Sequence, residues 1–419
     1  MVAWFKIALR NLIKNRRRSV ITILAIALGF AAVNLFGGFT KYMYRGTREA
    51  AILGKATGHL TVFKKGFLEQ GQLDPTRYLL TPEEMRAIEE ICRKNPHVLL
   101  VTPQLRISGL VSNGKVSTIF VAMGIVPSTT DVFLSRTSFK KFIVGDVGFG
   151  DGKKLDDNIM YGVAVARGLA RLLDLKVGSD AVALGITVEG QMNALDMEVF
   201  RLFNTDSIEG DKMAMRVPFQ FAQALYDTKG ADRMAILLDK TEYTELLRDQ
   251  LREAFSGRGL HLDIKTWVEL SDWYRRVKEM FDVIFLFLFI VFFIIVVMSV
   301  VNTMSMAVFE RTREIGTLRA LGLKRRGVML LFAIESSLLG ILGTVGGILL
   351  TLLGWWVVDF FKPKWTPPGF STRVPLMIDL APEFMVYSFL FLTILCLIAS
   401  LLPARRAARQ NVVEALGHV

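Results

Sequence analysis

Apolar and polar positions divide this chain into four long apolar runs, one large stretch of mixed pattern and three short basic pieces. Val20 to Phe39 is apolar apart from Thr22 and Asn34. Val283 to Val301 carries Ser299 as its one polar residue and is thick with Phe. Val328 to Val358 is longer, rich in Leu and Gly, and interrupted chiefly by Glu335, Ser336 and Ser337. Phe384 to Leu402 is the fourth. Each is long enough to cross a hydrocarbon core as a helix, which takes roughly 20 residues. Basic residues precede the first run, as they would in a signal peptide. No small-residue cleavage site follows it, however, and Phe36, Phe39 and Tyr42 continue it, so it is read as a membrane helix.

Thr40 to Met280 has the pattern of a folded domain outside the membrane. Thr81-Pro82-Glu83-Glu84 is a capping box with Pro at the first helical position, and predicts a helix ending near Asn95. Ile107 to Val111 and Val116 to Val121 read as strands, with Asn113-Gly114 as a two-residue hairpin turn. Met234 to Leu238 reads as a further strand and Thr241 to Phe255 as an amphipathic helix. The predicted fold is a polytopic α-helical membrane protein with four transmembrane helices and a large α+β extracytoplasmic domain between the first two. The expected boundaries are 1–19 for an amphipathic helix, 20–39 for helix one, 40–280 for the outer domain and its stalk, and 281–305 for helix two. A connector over 306–327, helix three over 328–358, an outer loop over 359–382, helix four over 383–402 and a tail over 403–419 complete the chain. Pro363, Pro367-Pro368-Gly369 and Pro375 make the outer loop turn-rich.

Composition supports the membrane reading: 52% of the 419 residues are hydrophobic, and the mean hydropathy is +0.40. The distribution of charge then fixes an expected orientation. Lys6, Arg10, Lys14, Arg16, Arg17 and Arg18 give Met1 to Ser19 a charge of +6 with no acid. Arg311, Arg313, Arg319, Lys324, Arg325 and Arg326 against Glu310 and Glu314 give the connector +4. Arg405, Arg406 and Arg409 against Glu414 give the tail +2. These three pieces hold the whole net charge of +12, so the remainder balances to zero. Basic residues gathered in short flanks mark the cytoplasmic side. Both termini and the connector are therefore expected inside and the large domain outside, with no basic surface left for nucleic acid.

The basic pieces carry apolar positions too. Trp4, Phe5, Ala8, Leu9 and Leu12 make an amphipathic helix suited to the inner membrane surface, although a purely topogenic basic flank fits the same periodicity. In the connector, Ile315, Leu318 and Leu321 form an apolar stripe at helical spacing. That stripe fits a docking helix for a protein partner, with a solvated stop-transfer loop as the alternative. Gly340, Gly343, Gly346, Gly347 and Gly354 line the third apolar run, with Gly343 to Gly347 as a GxxxG, and are read as helix-packing positions. Glu335 is an ionisable residue inside that run and is read as serving coupling or packing.

Catalytic and metal chemistry has no support in the sequence. His59, His97, His261 and His418 are scattered, and neither Cys92 nor Cys396 suggests a disulfide or a metal site. Gly109 to Lys115 spells a near phosphate-binding loop, but Val116 stands where Ser or Thr is needed, and a hairpin turn is the wrong context. Asp151, Asp156 and Asp157 are read as solvated loop residues. No cofactor, no metal and no enzymatic site is assigned to this chain.

Three segments carry a family resemblance. They are Ala8-Leu9-Arg10-Asn11-Leu12 with Lys14-Asn15-Arg16-Arg17-Arg18; Val301-Asn302-Thr303-Met304 through Glu310-Arg311-Thr312-Arg313-Glu314-Ile315-Gly316 and Leu318-Arg319-Ala320-Leu321-Gly322; and Pro403-Ala404-Arg405-Arg406-Ala407-Ala408-Arg409 with Val413-Glu414-Ala415-Leu416. With the layout, they resemble the FtsX-like/MacB permease family of ABC transporters, including the LolC and LolE type. A proline usual before the last piece is replaced, with Asn411-Val412 in its place. Gly162 to Leu169, Lys176-Val177-Gly178 and Thr266-Trp267 resemble the periplasmic core domain of these permeases more loosely.

The resemblance implies a multi-pass inner-membrane permease that pairs with a second copy or a paralogue. It implies two copies of an ABC ATPase subunit that bind the ATP and Mg, and a periplasmic carrier or adaptor beside membrane lipid. The ATPase-coupling residues implied are Glu310, Arg311, Arg313, Glu314, Ile315, Gly316, Leu318, Arg319, Ala320, Leu321 and Gly322, with Leu270 to Met280 as a stalk for mechanotransmission. MacB carries its ATPase ahead of the first membrane helix, whereas this chain opens on the amphipathic helix, so a separate ATPase is expected. Lipoprotein release is the favoured function, with acyl chains received at Phe30, Leu35, Phe36 and Phe285 to Phe293, although Phe facing ordinary lipid explains the same residues. The alternatives are MacB-like export of periplasmic peptides or small molecules and FtsX-like signalling to a periplasmic hydrolase.

Overall fold

Long apolar runs without Pro fold as long helices. The computed structural model describes residues 2–71, 73–137, 150–205, 207–366 and 373–410, with side chains from residue 4. Pro367-Pro368-Gly369, Asn411-Val412, Val413-Glu414-Ala415-Leu416 and His418 lie outside the described residues. The chain divides into two units, one of residues 1–43, 278–363 and 376–419, the other of residues 44–277 and 364–375.

The first unit is helical. Its elements are an N-terminal helix Val2–Lys14, a first long helix Arg16–Glu49, a second Asp272–Glu310, a connector helix Thr312–Ala320, a third long helix Arg325–Phe361 and a fourth Pro382–Arg409. Four helices among the described residues are long and apolar enough to cross a membrane. All outrun the apolar cores that predicted them, because nothing in the polar flanks breaks a helix. The first continues past Thr40 to Glu49 and ends in a π-helical turn, Ala50–Gly54. The fourth passes through Pro403, which is buried in its last turns. Ala8 and Leu12 of the N-terminal helix are buried in the same core as Val328 and Phe332 of the third long helix. Phe5, Leu9 and Ile13 stay exposed along its other face, so the predicted apolar stripe is shared between core and surroundings.

The second unit is a mixed sheet with flanking helices. Its strands are β1 Leu60–Lys64, β2 Val98–Ser112, β3 Ser117–Ile125, β4 Asp151–Gly152, β5 Gly162–Ala166, β6 Asp180–Ile186, β7 Met192–Phe203, β8 Ala214–Pro218, β9 Arg233–Leu238 and β10 Leu262–Thr266. Pairing runs β10-β1-β9-β2-β3-β8-β5-β7-β4, and β6 joins β2 to β7. Strands β2, β3, β8, β5, β7 and β6 therefore close a circuit. Inside it, alternate residues such as Ile107, Val111, Phe120, Val163, Val165, Met197 and Val217 form one core with Phe221 and Leu225 from the helix Phe219–Tyr226. The N-terminal half of β2 instead pairs with β9. There, Leu60, Val62, Ile236 and Leu238 make a second core with Ile88 and Cys92 of helix Pro82–Arg93, and with Leu247, Leu251 and Phe255 of helix Thr244–Gly257.

Local signals explain several of these elements. The capping box at Thr81 is formed, with Glu84 N–H donating to Thr81 Oγ1 and Thr81 N–H to the Glu84 carboxylate. The β2–β3 turn differs from the predicted two-residue hairpin: Ser112 pairs with Ser117, leaving residues 113–116 as the loop. Asn113 Oδ1 accepts from the N–H groups of Lys115 and Val116, and only Gly114 is left-handed, at φ +85°. The near phosphate-binding loop is thus a strand end and a hairpin. Beyond the third long helix, Lys364–Trp365 pairs with Val374–Pro375 as a short ribbon.

His59, at the start of β1, is 6% exposed. Its Nδ1 accepts from Leu238 N–H at 3.1 Å, and its Nε2 lies 3.2 Å from Thr241 Oγ1. Burial pushes its pKa down to about 4; Arg48 and Arg136 add to the shift and Asp239 opposes it. The ring is therefore neutral near pH 7.

Candidate functional site

The connector is a helix between two breaks. Arg311, at φ −114° and ψ 16°, interrupts the helical path after Glu310, and Thr312 Oγ1 donates back to the Val308 carbonyl. After Ala320 the chain turns at Gly322, whose φ is +97°. An added Cβ there meets nothing within 4 Å, so it is the left-handed backbone of the helix end that calls for glycine.

The predicted apolar stripe divides on this helix. Ile315 is 4% exposed and packs with Val308, Val328 and Phe332, beside buried Gly316. Leu318 is 42% exposed and Leu321 is 81% exposed. Arg313, Glu314, Thr317 and Ala320 share their exposed side, so the outward face combines two bare leucines with a carboxylate and a guanidinium.

Polar contacts tie the connector region to its neighbours. Arg18 reaches Glu310 at 2.5 Å, Asn15 donates to the same carboxylate at 3.4 Å, and Lys14 lies 3.8 Å from Glu314. These partners are exposed, so each pair adds little stability and serves chiefly to set position. Arg319 donates to the Gln410 carbonyl at the end of the fourth long helix. Arg311 donates to both oxygens of Glu335 on the third, at 3.1 and 3.4 Å, and that pair is buried. Arg311 is thus the partner of the charge that stood out within the third apolar run.

Small residues set the helix spacing. An added Cβ at Gly343 would lie 2.6 Å from Ile26 Cβ, and at Gly347 2.6 Å from Phe30 Cβ. At Gly340 it would meet Cys396 Cβ at 3.2 Å, whereas at Gly346 it meets only Ala27 at 3.6 Å. The third long helix thus packs glycines against the first on one side and the fourth on another. Gly347→Ala is expected to cost about 1–3 kcal/mol by overpacking, seen as a lower unfolding temperature in detergent. Gly346→Ala is the matched control and should be silent; equal melting of both variants would refute the packing role.

An apolar cavity of about 280 Å³ lies between the first, second and fourth long helices. Gly29, Phe285, Phe289, Phe293, Phe384 and Phe391 are among its lining. Phe30, singled out from the sequence, is fully buried against Gly347 and does not line it. Phe36 stacks on Phe285 with ring centroids 6.2 Å apart. The contribution of the fourth helix was missed, because helical periodicity says which residues share a face and not which helix comes beside it.

In the outer unit, Asp151 pairs with Arg167, Asp157 accepts from Ser128 N–H and Asp156 from Asn158 N–H. Cys92 and Cys396 are both buried free thiols. Among the described residues, no three His, Cys, Asp or Glu gather as a metal site would require.

Comparison with known proteins covers nearly the whole chain. The FtsX-like permease C-terminal family matches residues 286–412, and the MacB-like periplasmic core domain matches residues 19–254. A protein of Chromobacterium violaceum named macrolide export ATP-binding/permease protein MacB is 24% identical over 98% of this chain and 60% of its own length. The protein of that name in Escherichia coli (strain K12) is 34% identical over 40% of this chain and 24% of its own. The chain therefore spans less than two thirds of these relatives. Among solved structures, the periplasmic region of MacB from Actinobacillus actinomycetemcomitans matches 52% of this chain and 92% of that one, at 12% identity and a TM-score of 0.37.

Proposed function

We propose, given that this chain belongs to the FtsX-like/MacB family of ABC transporter permeases, that it is driven by a separate ATPase subunit and releases lipoproteins from the inner membrane. The observation that carries the drive is the connector. Its outward face holds Leu318 and Leu321 bare, while Arg311 and Arg319 tie it to the third and fourth long helices and Glu310, just before it, to the first. A bare apolar pair on an anchored helix is what a docking partner needs, and membership of an ABC permease family supplies the partner's class. Basic flanks on the N-terminus, connector and tail support a cytoplasmic position for these, where ATP is. Two ATPase subunits would serve a pair of permease copies, or this chain with a paralogue.

Motion would travel outward by mechanotransmission. The second long helix is continuous for 39 residues, roughly 60 Å at 1.5 Å per residue, and includes most of the expected stalk. For the cargo, the aromatic cavity between three helices offers a largely apolar seat for part of an acyl chain, with a periplasmic carrier as recipient. Similarity over 98% of the chain to a relative named for macrolide export favours a second reading, export of a periplasmic peptide or small molecule through an adaptor.

Affinity purification from native membranes tests the drive directly. An ABC ATPase that is a separate polypeptide, in stoichiometric amount and active, is the expected companion; a chain that emerges alone and inactive refutes the reading. A co-purifying lipoprotein carrier or an adaptor with an outer-membrane channel decides the cargo. Glu310→Lys, Glu314→Lys and Gly316→Leu are each expected to lower ATP-driven activity about tenfold with normal membrane insertion, a loss of about 1.4 kcal/mol in coupling. Wild-type coupling in all three would remove the connector from the mechanism.

A further inference from the structure

The third long helix is packed by apolar side chains and glycines, surfaces that fix distance but resist sliding weakly. One contact on it is a buried charge pair. Arg311 sits at the break between the second long helix and the connector, 6% exposed, and Glu335 is 2% exposed. The guanidinium Nη1 donates to both carboxylate oxygens, and its Nη2 is buried without a hydrogen-bond partner among the described residues. The Asn11 side chain of the N-terminal helix comes close to the Glu335 carboxylate. Phe332 and Leu339 of the third long helix share one hydrophobic core with Val308 and Ile315. Three separate stretches of chain thus meet at one buried charge pair.

A buried ion pair is weak evidence of stability, since apolar replacements of similar volume often do as well. What it adds is direction: hydrogen bonds from a planar guanidinium hold in one relative position, and a displaced partner leaves a charge unpaired in an apolar core. We infer that Arg311, Glu335 and Asn11 form a clasp that makes the connector and the third long helix move as one body when the ATPase pulls. This rests on the coupling reading above. Leu321, the bare docking leucine, is ten residues from Arg311, so a pull on the connector reaches the clasp over a short helix. Apolar packing alone would let the connector slip; the clasp transmits. Arg311 is on this account a positioning residue, buried away from the docking face.

The test uses the chain co-purified with its ATPase in lipid nanodiscs. Spin labels on cysteines at Ile21 and Leu353, both exposed, report the distance between the first and third long helices with and without ATP and vanadate. The native thiols are buried and do not compete. The apolar pair Arg311→Met/Glu335→Met is expected to assemble with its ATPase at the wild-type ratio, while the ATP-driven distance change shrinks about fivefold. The exchanged pair Arg311→Glu/Glu335→Arg is expected to recover at least half of it. Full motion in the apolar pair overturns the clasp and leaves the coupling reading standing. If the apolar pair does not assemble, the exchanged pair decides: motion restored supports the clasp, and an assembled but motionless complex overturns it. A wild-type complex that does not respond to ATP removes the coupling reading, and the clasp with it.

Discussion

Leu321→Asp is expected to release the partner ATPase while leaving the chain as stable as before. The side chain is 81% exposed, so folding should change by no more than about 0.5 kcal/mol. Docking is another matter. Burying a leucine in a partner's groove contributes about 1.5–3 kcal/mol, and an aspartate there would also be an unpaired charge in an apolar contact. A loss of roughly 3 kcal/mol weakens binding more than a hundredfold. Leu318, half as exposed, should show the same effect more weakly. Ile315→Asp is the contrasting variant: it places a charge in the helical core and should lower the unfolding temperature itself. ATPase recovered in pull-down with Leu321→Asp at the wild-type ratio would rule out this face as the docking surface.

Acid should weaken the outer domain through His59. Its folded pKa of about 4 lies below the ordinary value of 6.5, so the native ring stays neutral over a range where the unfolded one takes up a proton. Stability from this group is complete above pH 6.5 and is lost as pH falls from there towards about 4. The shift corresponds to about 3 kcal/mol over that window. Protonation would also remove the Nδ1 acceptor that Leu238 N–H uses. Hydrogen exchange of peptides spanning β1 and β9, corrected for intrinsic rates, should show protection falling about a hundredfold between pH 7 and pH 4. His59→Asn keeps an acceptor near Leu238 but no titrating ring; it should be weaker at pH 7 and flat across the window. Wild-type protection unchanged at pH 4 would contradict the assignment of His59.

What the sequence made legible follows the range of the interaction. The capping box at Thr81 and the strand over Met234 to Leu238 are local signals, and both elements formed where residue pattern placed them. The hairpin was legible as a hairpin and misread in length, because Asn113 satisfies two backbone donors with its side chain and so stabilises a four-residue loop. The strand circuit was not legible at all. Nothing near β5 announces that it lies between β7 and β8, since each strand's alternation is satisfied by any apolar neighbour.

The connector shows the same boundary. A stripe of Ile315, Leu318 and Leu321 was visible at helical spacing, yet spacing treats the three alike. The break at Arg311 rotates Ile315 into the core and leaves the leucines outside, and that break is a tertiary event. Glu335 stood out as a charge in an apolar run, but its partner is 24 residues away across a chain reversal. His59 offered no signal, being one of four scattered histidines whose neighbours come from β9 and from Thr241.

The order of strands in the outer unit bears on how the chain is made. β1 is the first strand to follow the first long helix, and its partners are β9 and β10, the last two. During synthesis it has neither of them to pair with until nearly the whole of the second unit has been made. The circuit through β8 closes late for the same reason. Such long-range pairing folds slowly and keeps unpaired strand edges open in the meantime. The nascent domain therefore keeps β1 unpaired until β9 and β10 have emerged, and its sheet is completed by the last stretch of chain before the second long helix.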